Sequence, residues 1–216
     1  MSNQKYQETM DWYQEHAVDY AEKSTRESVI DTQQLEEFSN LLKPGVKILD
    51  AGCGAGRDTN LFQKKGFMPT GMDLSTKLIV EARKRYPNCD FKEGDLLSLP
   101  YESESFDGVW AHASLVHFET LEQMRKAIRE LFRVAKKDAV LHLLVRAHDA
   151  KSEEVRSDAI SQSNRYYRNF TEKEIRDLVS SEGFKSFKVF RYKESDLDPK
   201  KRPDDAIEWI LVLARK

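Results

Sequence analysis

Residues 46–58 read VKILDAGCGAGRD, and this stretch decides how the chain folds. A short apolar run ends at Asp50, and Gly52, Gly54 and Gly56 then lead into a helical segment. A strand, a glycine-rich turn and a helix in this order form a nucleotide-cofactor cradle at the carboxyl edge of a parallel sheet. The glycine spacing is G-x-G-x-G, one residue shorter than the dinucleotide fingerprint G-x-G-x-x-G.

The bulk composition predicts one globular domain and argues against extended duplex binding. The chain has 216 residues, with 35 Lys and Arg against 37 Asp and Glu, a formal net charge of −2. No global basic field is therefore present to neutralise phosphates. The two cysteines, Cys53 and Cys89, form no metal-type pair, so we expect reduced thiols, a reducing compartment and no metal site.

The sequence contains no membrane-spanning signal. No apolar run approaches the length that a bilayer crossing needs. The first seven residues are polar and lack the apolar segment of a signal peptide. A cytoplasmic protein that does not bind membranes is the expectation.

Alternating strand and helix patterns predict an α/β doubly wound sheet. Residues 4–42 have helical periodicity and end at Pro44-Gly45, so residues 1–42 are predicted to form a helical cap and residues 43–216 the cofactor-binding domain. The segment that joins Arg146 to Phe170 is expected to be a loop. The predicted strands are 46–50, 67–72, 89–92, 106–111, 140–145, 184–190 and 207–213.

Two aspartates follow the second and third predicted strands. Asp73 lies 17 positions beyond Gly56, where an acidic residue can accept both ribose hydroxyls, as it also would in an NAD enzyme. Asp95 is placed to accept the adenine amino hydrogens, with a loop or capping role as the alternative. Together with the glycines, these residues indicate a nucleoside site.

Four blocks of sequence together resemble a known family. The blocks are ILDAGCGAGRDT, TGMDLS, EGDLLSLPYESESFDGVWAHASLVHF and YYRNFTEKEIRDLVSSEGF. In this order they resemble the class I S-adenosylmethionine (SAM)-dependent methyltransferases of the methyltransferase-11 or -25-like small-molecule group, from about Asp11 onward. The resemblance implies SAM as the methyl donor and S-adenosylhomocysteine (SAH) as the product. It also implies a Rossmann-like fold with a seven-stranded, mostly parallel sheet, helices on both faces and the N-terminal helical cap.

The resemblance also implies the residues of a cofactor site. Asp50 is expected to help hold the SAM ammonium, and Ala111 with His112 to line the methionine end. Tyr20 belongs to a Y-x-x-x-A-x-x-Y segment that folds over the cofactor, although an amphipathic helix that buries its aromatics is an equal alternative. The full expected set is Tyr20, Asp50, Gly52, Cys53, Gly54, Gly56, Asp73, Leu74, Asp95, Leu96, Ala111 and His112.

A general base is required only if the acceptor must lose a proton, because methyl transfer from a sulfonium is an in-line displacement. His117 follows the fourth predicted strand, in the family's L-x-H pattern, and is the candidate catalytic residue. The alternative, which we favour at this point, is that His117 packs beneath the cofactor.

The candidate acceptor-binding residues are Arg146, Arg165 and Tyr166, together with Arg168. Arginines can hold an anionic acceptor through bidentate contacts, and ordinary surface charge is at least as good an explanation. Arg57 and Asp58 are expected to form a local ion pair. The basic run 200–202 is expected to be a solvated loop.

The leading functional hypothesis is methyl transfer from SAM to a small molecule by a monomer or homodimer. Methylation of a tRNA wobble-uridine side chain is an alternative that the near-neutral charge disfavours. A SAM-binding regulatory protein without turnover is another, and NAD-dependent oxidation is disfavoured by the short glycine spacing and Asp95. No Asn-Pro-Pro-Tyr-type segment follows the fourth predicted strand, which argues against methylation of adenine or glutamine amino groups.

Overall fold

The computed structural model describes residues 4–24, 29–149, 153–157, 164–184, 186–197 and 207–216. The basic run 200–202 lies outside these ranges. The helices are α1 (Gln4–Glu15), α2 (Ala17–Ser24), α3 (Val29–Asn40), α4 (Arg57–Lys64), α5 (Thr76–Arg85), α6 (Leu121–Val134), α7 (Glu172–Ser181) and α8 (Glu194–Leu197). The strands are β1 (Lys47–Ala51), β2 (Met68–Asp73), β3 (Asp90–Glu93), β4 (Phe106–His112), β5 (Ala135–Ala147), β6 (Glu153–Ser157), β7 (Asn164–Phe170), β8 (Ser186–Lys193) and β9 (Glu208–Arg215).

Seven strands form a mixed sheet in the order β3-β2-β1-β4-β5-β9-β8. The first five run parallel, and β9 is antiparallel to both of its neighbours, β5 and β8. Strand order reverses between β1 and β4, and ligands bind at such a switch point, outside the carboxyl ends of the strands. The predicted Rossmann-like class I fold is confirmed.

Alternating side chains of the central strands enter two separate cores, and this alternation places helices on both faces. On β1, Ile48 packs with Phe38 of α3 and Phe62 of α4, while Leu49 joins the core beneath α6 and α7. Both side chains are fully buried. Such near-continuous apolar runs are the mark of a parallel strand covered on both sides.

Capping side chains and a glycine mark the helix starts and ends in this fold. Ser75 caps α5 by accepting the Leu78 N–H at 3.2 Å, and Thr171 and Glu174 form a reciprocal capping box at the start of α7. Gly66 follows α4 with a φ of 85°, the left-handed conformation expected where a helix ends.

One prediction is wrong: the segment before Phe170 is not wholly a loop. Residues 164–170 form β7, which pairs antiparallel with β6 and adds two parallel pairs beside the end of β5. The partner β6 directly precedes β7 in the chain, but the β7 sequence NRYYRNF has no regular alternation of apolar and polar residues to mark a strand. Strands β6 and β7 therefore extend the predicted seven-stranded sheet to nine strands.

Helices α1 and α2 pack over the carboxyl edge of the sheet. Helix α1 contacts β7 and α5, and α2 contacts α5. Buried Trp12 and Ala21 anchor the two helices. None of the helices within the described ranges has the length and apolar character that a bilayer crossing requires.

Candidate functional site

A cavity of about 580 Å³ lies at the switch point, beneath α1 and α2. Its walls come from both helices, the glycine turn, the carboxyl ends of β2, β4 and β5, and the β8–α8–β9 region. The lining includes the candidate base His117 and nine of the twelve predicted cofactor-site residues, namely Tyr20, Asp50, Gly52, Cys53, Gly54, Asp73, Leu74, Leu96 and His112. Gly56, Asp95 and Ala111 are not among the lining residues.

The glycine turn is built so that the chain can pass close to its neighbours. Gly52 has a φ of 82°, and a Cβ placed there would lie 2.3 Å from the Cβ of Ser114. At Gly56, with a φ of 85°, a Cβ would lie 2.6 Å from the Phe91 ring. Both positions therefore require glycine for conformation and for space.

The amide groups of this turn already have partners within the protein. Gly52 and Cys53 both donate to the Met72 carbonyl, at 2.8 and 2.9 Å, and Gly54 donates to Asp73 Oδ2 at 2.9 Å. These hydrogen bonds hold the turn against the end of β2.

Asp73 is the fixed acidic group at the end of β2. Its Oδ1 accepts the Ser75 N–H and its Oδ2 the Gly54 N–H, both at 2.9 Å. Burial raises the pKa of Asp73, and these backbone hydrogen bonds oppose the rise. A carboxylate has about four lone-pair sites, so two bonds leave capacity for the hydroxyls of a ribose.

An apolar compartment lies beside Asp73. Tyr6 of α1 stacks on Phe118, with ring centroids 5.4 Å apart, and Leu74, Leu78 and Leu96 complete the walls. Such a slot suits a flat aromatic base.

Asp95 stands at the rim of that compartment. Its Oδ1 accepts the Leu97 N–H at 2.8 Å, so it does shape its own loop, as the alternative reading expects. Burial first, and then the charges of Asp95 and Asp73, raise the pKa of Tyr6, which places Asp95 close to the cavity wall.

The opposite side of the cavity holds a charged network around Arg57. Arg57 donates to Asp58 at 2.7 Å, as predicted, and also to Asp31 of α3 at 2.7 Å. Asp31 is in turn 3.3 Å from His112 Nε2. Burial alone would raise the pKa of Asp31, but His112 and Arg57 outweigh it and lower that pKa to about 2.

Asp50 lies deeper in this network and is almost fully buried. It accepts the Thr59 hydroxyl at 2.5 Å. Burial, followed by the neighbouring Asp58 charge, raises the pKa of Asp50 to about 7. A cation bound at this point would favour the ionised carboxylate.

His117 belongs to a chain of hydrogen bonds that joins α1 to β7. Its Nδ1 is 2.7 Å from the Tyr166 carbonyl, which only accepts, so Nδ1 carries the hydrogen. Nε2 therefore accepts the Tyr13 hydroxyl at 3.1 Å, and Arg165 donates to that hydroxyl. Burial lowers the pKa of His117 to about 3, and the ring is neutral at physiological pH.

The predicted acceptor-binding residues do not line the cavity. Arg146 is buried with its guanidinium 4.5 Å from the Tyr167 ring centroid, and Arg165 is enclosed by Trp12, Tyr13 and other rings. Tyr166 is buried and donates to Glu153 at 3.1 Å. Arg165 and Tyr166 instead link β7 to helix α1, through Tyr13 and Thr9.

Among the lining residues that the sequence did not predict, four come from elements far from the glycine turn. Asp31, Tyr192, Glu194 and Trp209 reach the cavity from α3, β8, α8 and β9. No local motif marks them, because the fold alone brings these distant segments together. Within the described residues, no cluster of three or more metal-ligating side chains occurs.

The chain resembles known proteins in both sequence and structure. A family model described as a methyltransferase domain matches residues 48–138, which hold the glycine turn, Asp73 and Asp95. This match runs from β1 into β5 and covers less than half of the chain. Solved structures cover the remaining elements as well.

Two solved structures share the fold at low sequence identity. The 1,6-didemethyltoxoflavin-N1-methyltransferase of Burkholderia thailandensis, solved with 1,6-didemethyltoxoflavin and SAH, has a TM-score of 0.75 at 20% identity and covers 100% of this chain and 91% of its own. The [4+2]-cyclase SpnF has a TM-score of 0.63 at 20% identity, over 84% of this chain and 79% of that one. The methyltransferase fold therefore does not by itself decide the reaction.

Among curated proteins, the matches are confined to part of each sequence. The malonyl-[acyl-carrier protein] O-methyltransferase of Enterobacter lignolyticus is 30% identical over 107 residues, which are 50% of this chain and 41% of that protein. The demethylmenaquinone methyltransferase of Chlorobaculum parvum is 34% identical over 99 residues, 45% of this chain and 40% of that protein. This chain spans less than half the length of either relative.

Proposed function

We propose that the protein is an enzyme that transfers a methyl group from SAM to a small molecule. The observation that carries this proposal is one cavity at the switch point that contains the glycine turn, the buried Asp73 carboxylate and an apolar slot side by side. Each feature suits a different part of SAM, namely the chain next to sulfur, the ribose and the adenine.

The charge of the cavity fits a sulfonium cofactor. Five carboxylates line it, from Asp31, Asp50, Asp58, Asp73 and Glu194, against two cationic side chains, from Lys23 and Arg57. The sulfonium and ammonium of SAM are cations, and its carboxylate is the single negative group. When bound, SAM supplies an electrophilic methyl group, so the protein's task is to orient the acceptor and exclude water.

Each predicted residue then has a role in this proposal. Asp73 holds the ribose hydroxyls, Leu74 and Leu96 pack on the adenine, and Asp95 lies at its amino edge. Asp50, the Gly52 carbonyl and the Ala111–His112 strand end hold the methionine portion. Residues 1–42 act as the cap, with Tyr20 closing over the Gly54 region, where its ring is 3.5 Å from a Cβ built at that glycine.

We assign His117 a positioning role. Both of its ring nitrogens are engaged, by the Tyr166 carbonyl and the Tyr13 hydroxyl, and its depressed pKa makes it a weak base. By joining α1 to β7, it holds the cap over the cavity.

The charge balance of the chain supports a small-molecule acceptor over tRNA, with a net charge of −2 and an acidic cavity. A regulatory SAM-binding protein would keep the same cavity, and turnover separates the two.

The test is incubation of the purified protein with methyl-labelled SAM, a metabolite extract and bulk tRNA, followed by separation of the small-molecule and RNA fractions. Label in the small-molecule fraction, lost in Asp73→Ala, supports the proposal. Label in tRNA supports the RNA alternative, and label in neither fraction despite SAM binding supports the regulatory one.

A further inference from the structure

The cavity has a second end, formed by elements that the glycine turn does not touch. Tyr192 of β8, Glu194 of α8 and Trp209 of β9 line it together with Leu144 of β5. Asp31 of α3 completes this wall. Since the proposed nucleoside compartment lies at β2 and β3, this opposite end is where an acceptor would sit.

The polar groups of this end are held in place by one another. Trp209 Nε1 donates to Glu194 Oε1 at 3.0 Å, and Gln34 Nε2 donates to the Tyr192 hydroxyl at 2.5 Å. Burial first, and then the charges of Asp31 and Glu194, raise the pKa of Tyr192. Both carboxylates line the same cavity as Tyr192.

We propose that the methyl acceptor is a nitrogen nucleophile, an amine on an aromatic scaffold, bound between the rings of Tyr192 and Trp209 and the carboxylates of Glu194 and Asp31. This inference rests on the proposed methyltransferase function. Aromatic faces attract ammonium groups, and carboxylates accept N–H hydrogen bonds.

The direction of charge movement supports the same assignment. An amine held as its ammonium ion first loses one proton to solvent. Its lone pair then forms the nitrogen–carbon bond while the carbon–sulfur bond breaks, and that electron pair stays on sulfur. Positive charge thus moves from sulfur to nitrogen, toward Glu194 and Asp31, and fixed negative groups stabilise charge that develops beside them.

An anionic acceptor would meet the opposite situation. Its charge would be repelled by Glu194, while the arginines expected to bind it, Arg146 and Arg165, are buried and do not line the cavity. Like charges brought together in a partly dry site cost free energy. The structure therefore replaces the anionic acceptor that the arginines suggested with a cationic or neutral nitrogen compound.

The experiment uses probe pairs that share an aromatic ring system and carry side-chain groups of opposite charge: tryptamine against indole-3-acetate, and phenethylamine against phenylacetate. Calorimetry first measures SAH binding, and then titrates each probe into the SAH-saturated protein. We expect each amine to bind at least about tenfold more tightly than its acid, the size of one charge-assisted hydrogen bond.

Variants assign the effect to this end of the cavity. Glu194→Gln removes the charge with little change of shape, and we expect about tenfold weaker amine binding with unchanged SAH affinity. Glu182→Gln is the matched control, because Glu182 pairs with Arg129 outside the cavity and should leave both affinities unchanged.

The outcomes separate this inference from the proposed function. Failure to bind SAH overturns the proposed function. Three results would overturn only the nitrogen-acceptor inference, provided that SAH still binds. These are acids that bind as tightly as the amines, amines that do not bind at all, and a Glu194→Gln variant that binds amines normally.

Discussion

Replacement of Asp73 by alanine gives the most quantitative prediction for the cofactor site. In the free protein, its carboxylate binds the Gly54 and Ser75 N–H groups, each at 2.9 Å. In the proposed complex it also binds the ribose hydroxyls. One side chain therefore supports both the glycine turn and the ligand, and Asp73→Ala should reduce stability and affinity together.

The magnitudes follow from these contacts. A partly buried N–H that loses its acceptor costs about 1–3 kcal/mol, and a protein of this size loses about 2–4 °C of Tm per kcal/mol. Loss of the ribose contacts should cost about 1–3 kcal/mol of binding free energy, which corresponds to roughly 5- to 150-fold weaker SAH binding. Asp73→Asn keeps one acceptor oxygen and should lie between alanine and the wild type.

Calorimetric titration of SAH measures the affinity, and thermal unfolding without ligand measures the stability. The control is Asp107→Asn, because Asp107 also accepts a backbone N–H, from Lys47 at 3.1 Å, and it lies at the other end of β4. The control should lose some stability and keep its SAH affinity. An SAH affinity of Asp73→Ala within twofold of the wild type would refute the assigned role.

Three further predictions concern the turn and two buried titratable groups. Gly52→Ala should lower Tm by several degrees more than Gly45→Ala, since only at Gly52 would the new Cβ meet an atom, Ser114 Cβ at 2.3 Å; equal losses in thermal unfolding would contradict this. SAM affinity measured by calorimetry should rise from pH 6 to 8 as Asp50, with its pKa raised to about 7, becomes ionised, and Asp50→Asn should remove the rise. The pKa of His117 is lowered to about 3, so its stabilising contribution is present above its unfolded pKa of 6.5 and is lost as the pH falls. Urea unfolding should show a free energy of unfolding about 2 kcal/mol smaller at pH 5 than at pH 7, and this difference should be absent in His117→Asn.

The sequence was most informative where structure depends on neighbouring residues. The glycine turn, the Ser75 cap and the position of Asp73 all follow from local chemistry: positive φ, a side-chain oxygen at a helix start and the end of a buried strand. Regular alternation of strands and helices then predicted a doubly wound α/β sheet, because crossovers of this kind have few solutions.

Long-range contacts were beyond the reach of the sequence patterns. Arg165 carries a charge and reads as a surface residue, yet the rings of α1 and α2 enclose it. Asp31 and Glu194 sit on polar helices and line the cavity only because α3 and α8 dock at the same edge of the sheet. Neither the enclosure of Arg165 nor the placement of Asp31 and Glu194 at the cavity can be predicted from the spacing of nearby residues.

The central claim is that the Gly52–Gly56 turn and Asp73 form a SAM site, and calorimetric titration of the wild-type protein with SAH and with NADH tests it most directly. We expect the protein to bind SAH saturably and one-to-one, with weaker binding in Asp73→Ala, and not to bind NADH. Binding of NADH without binding of SAH would contradict it.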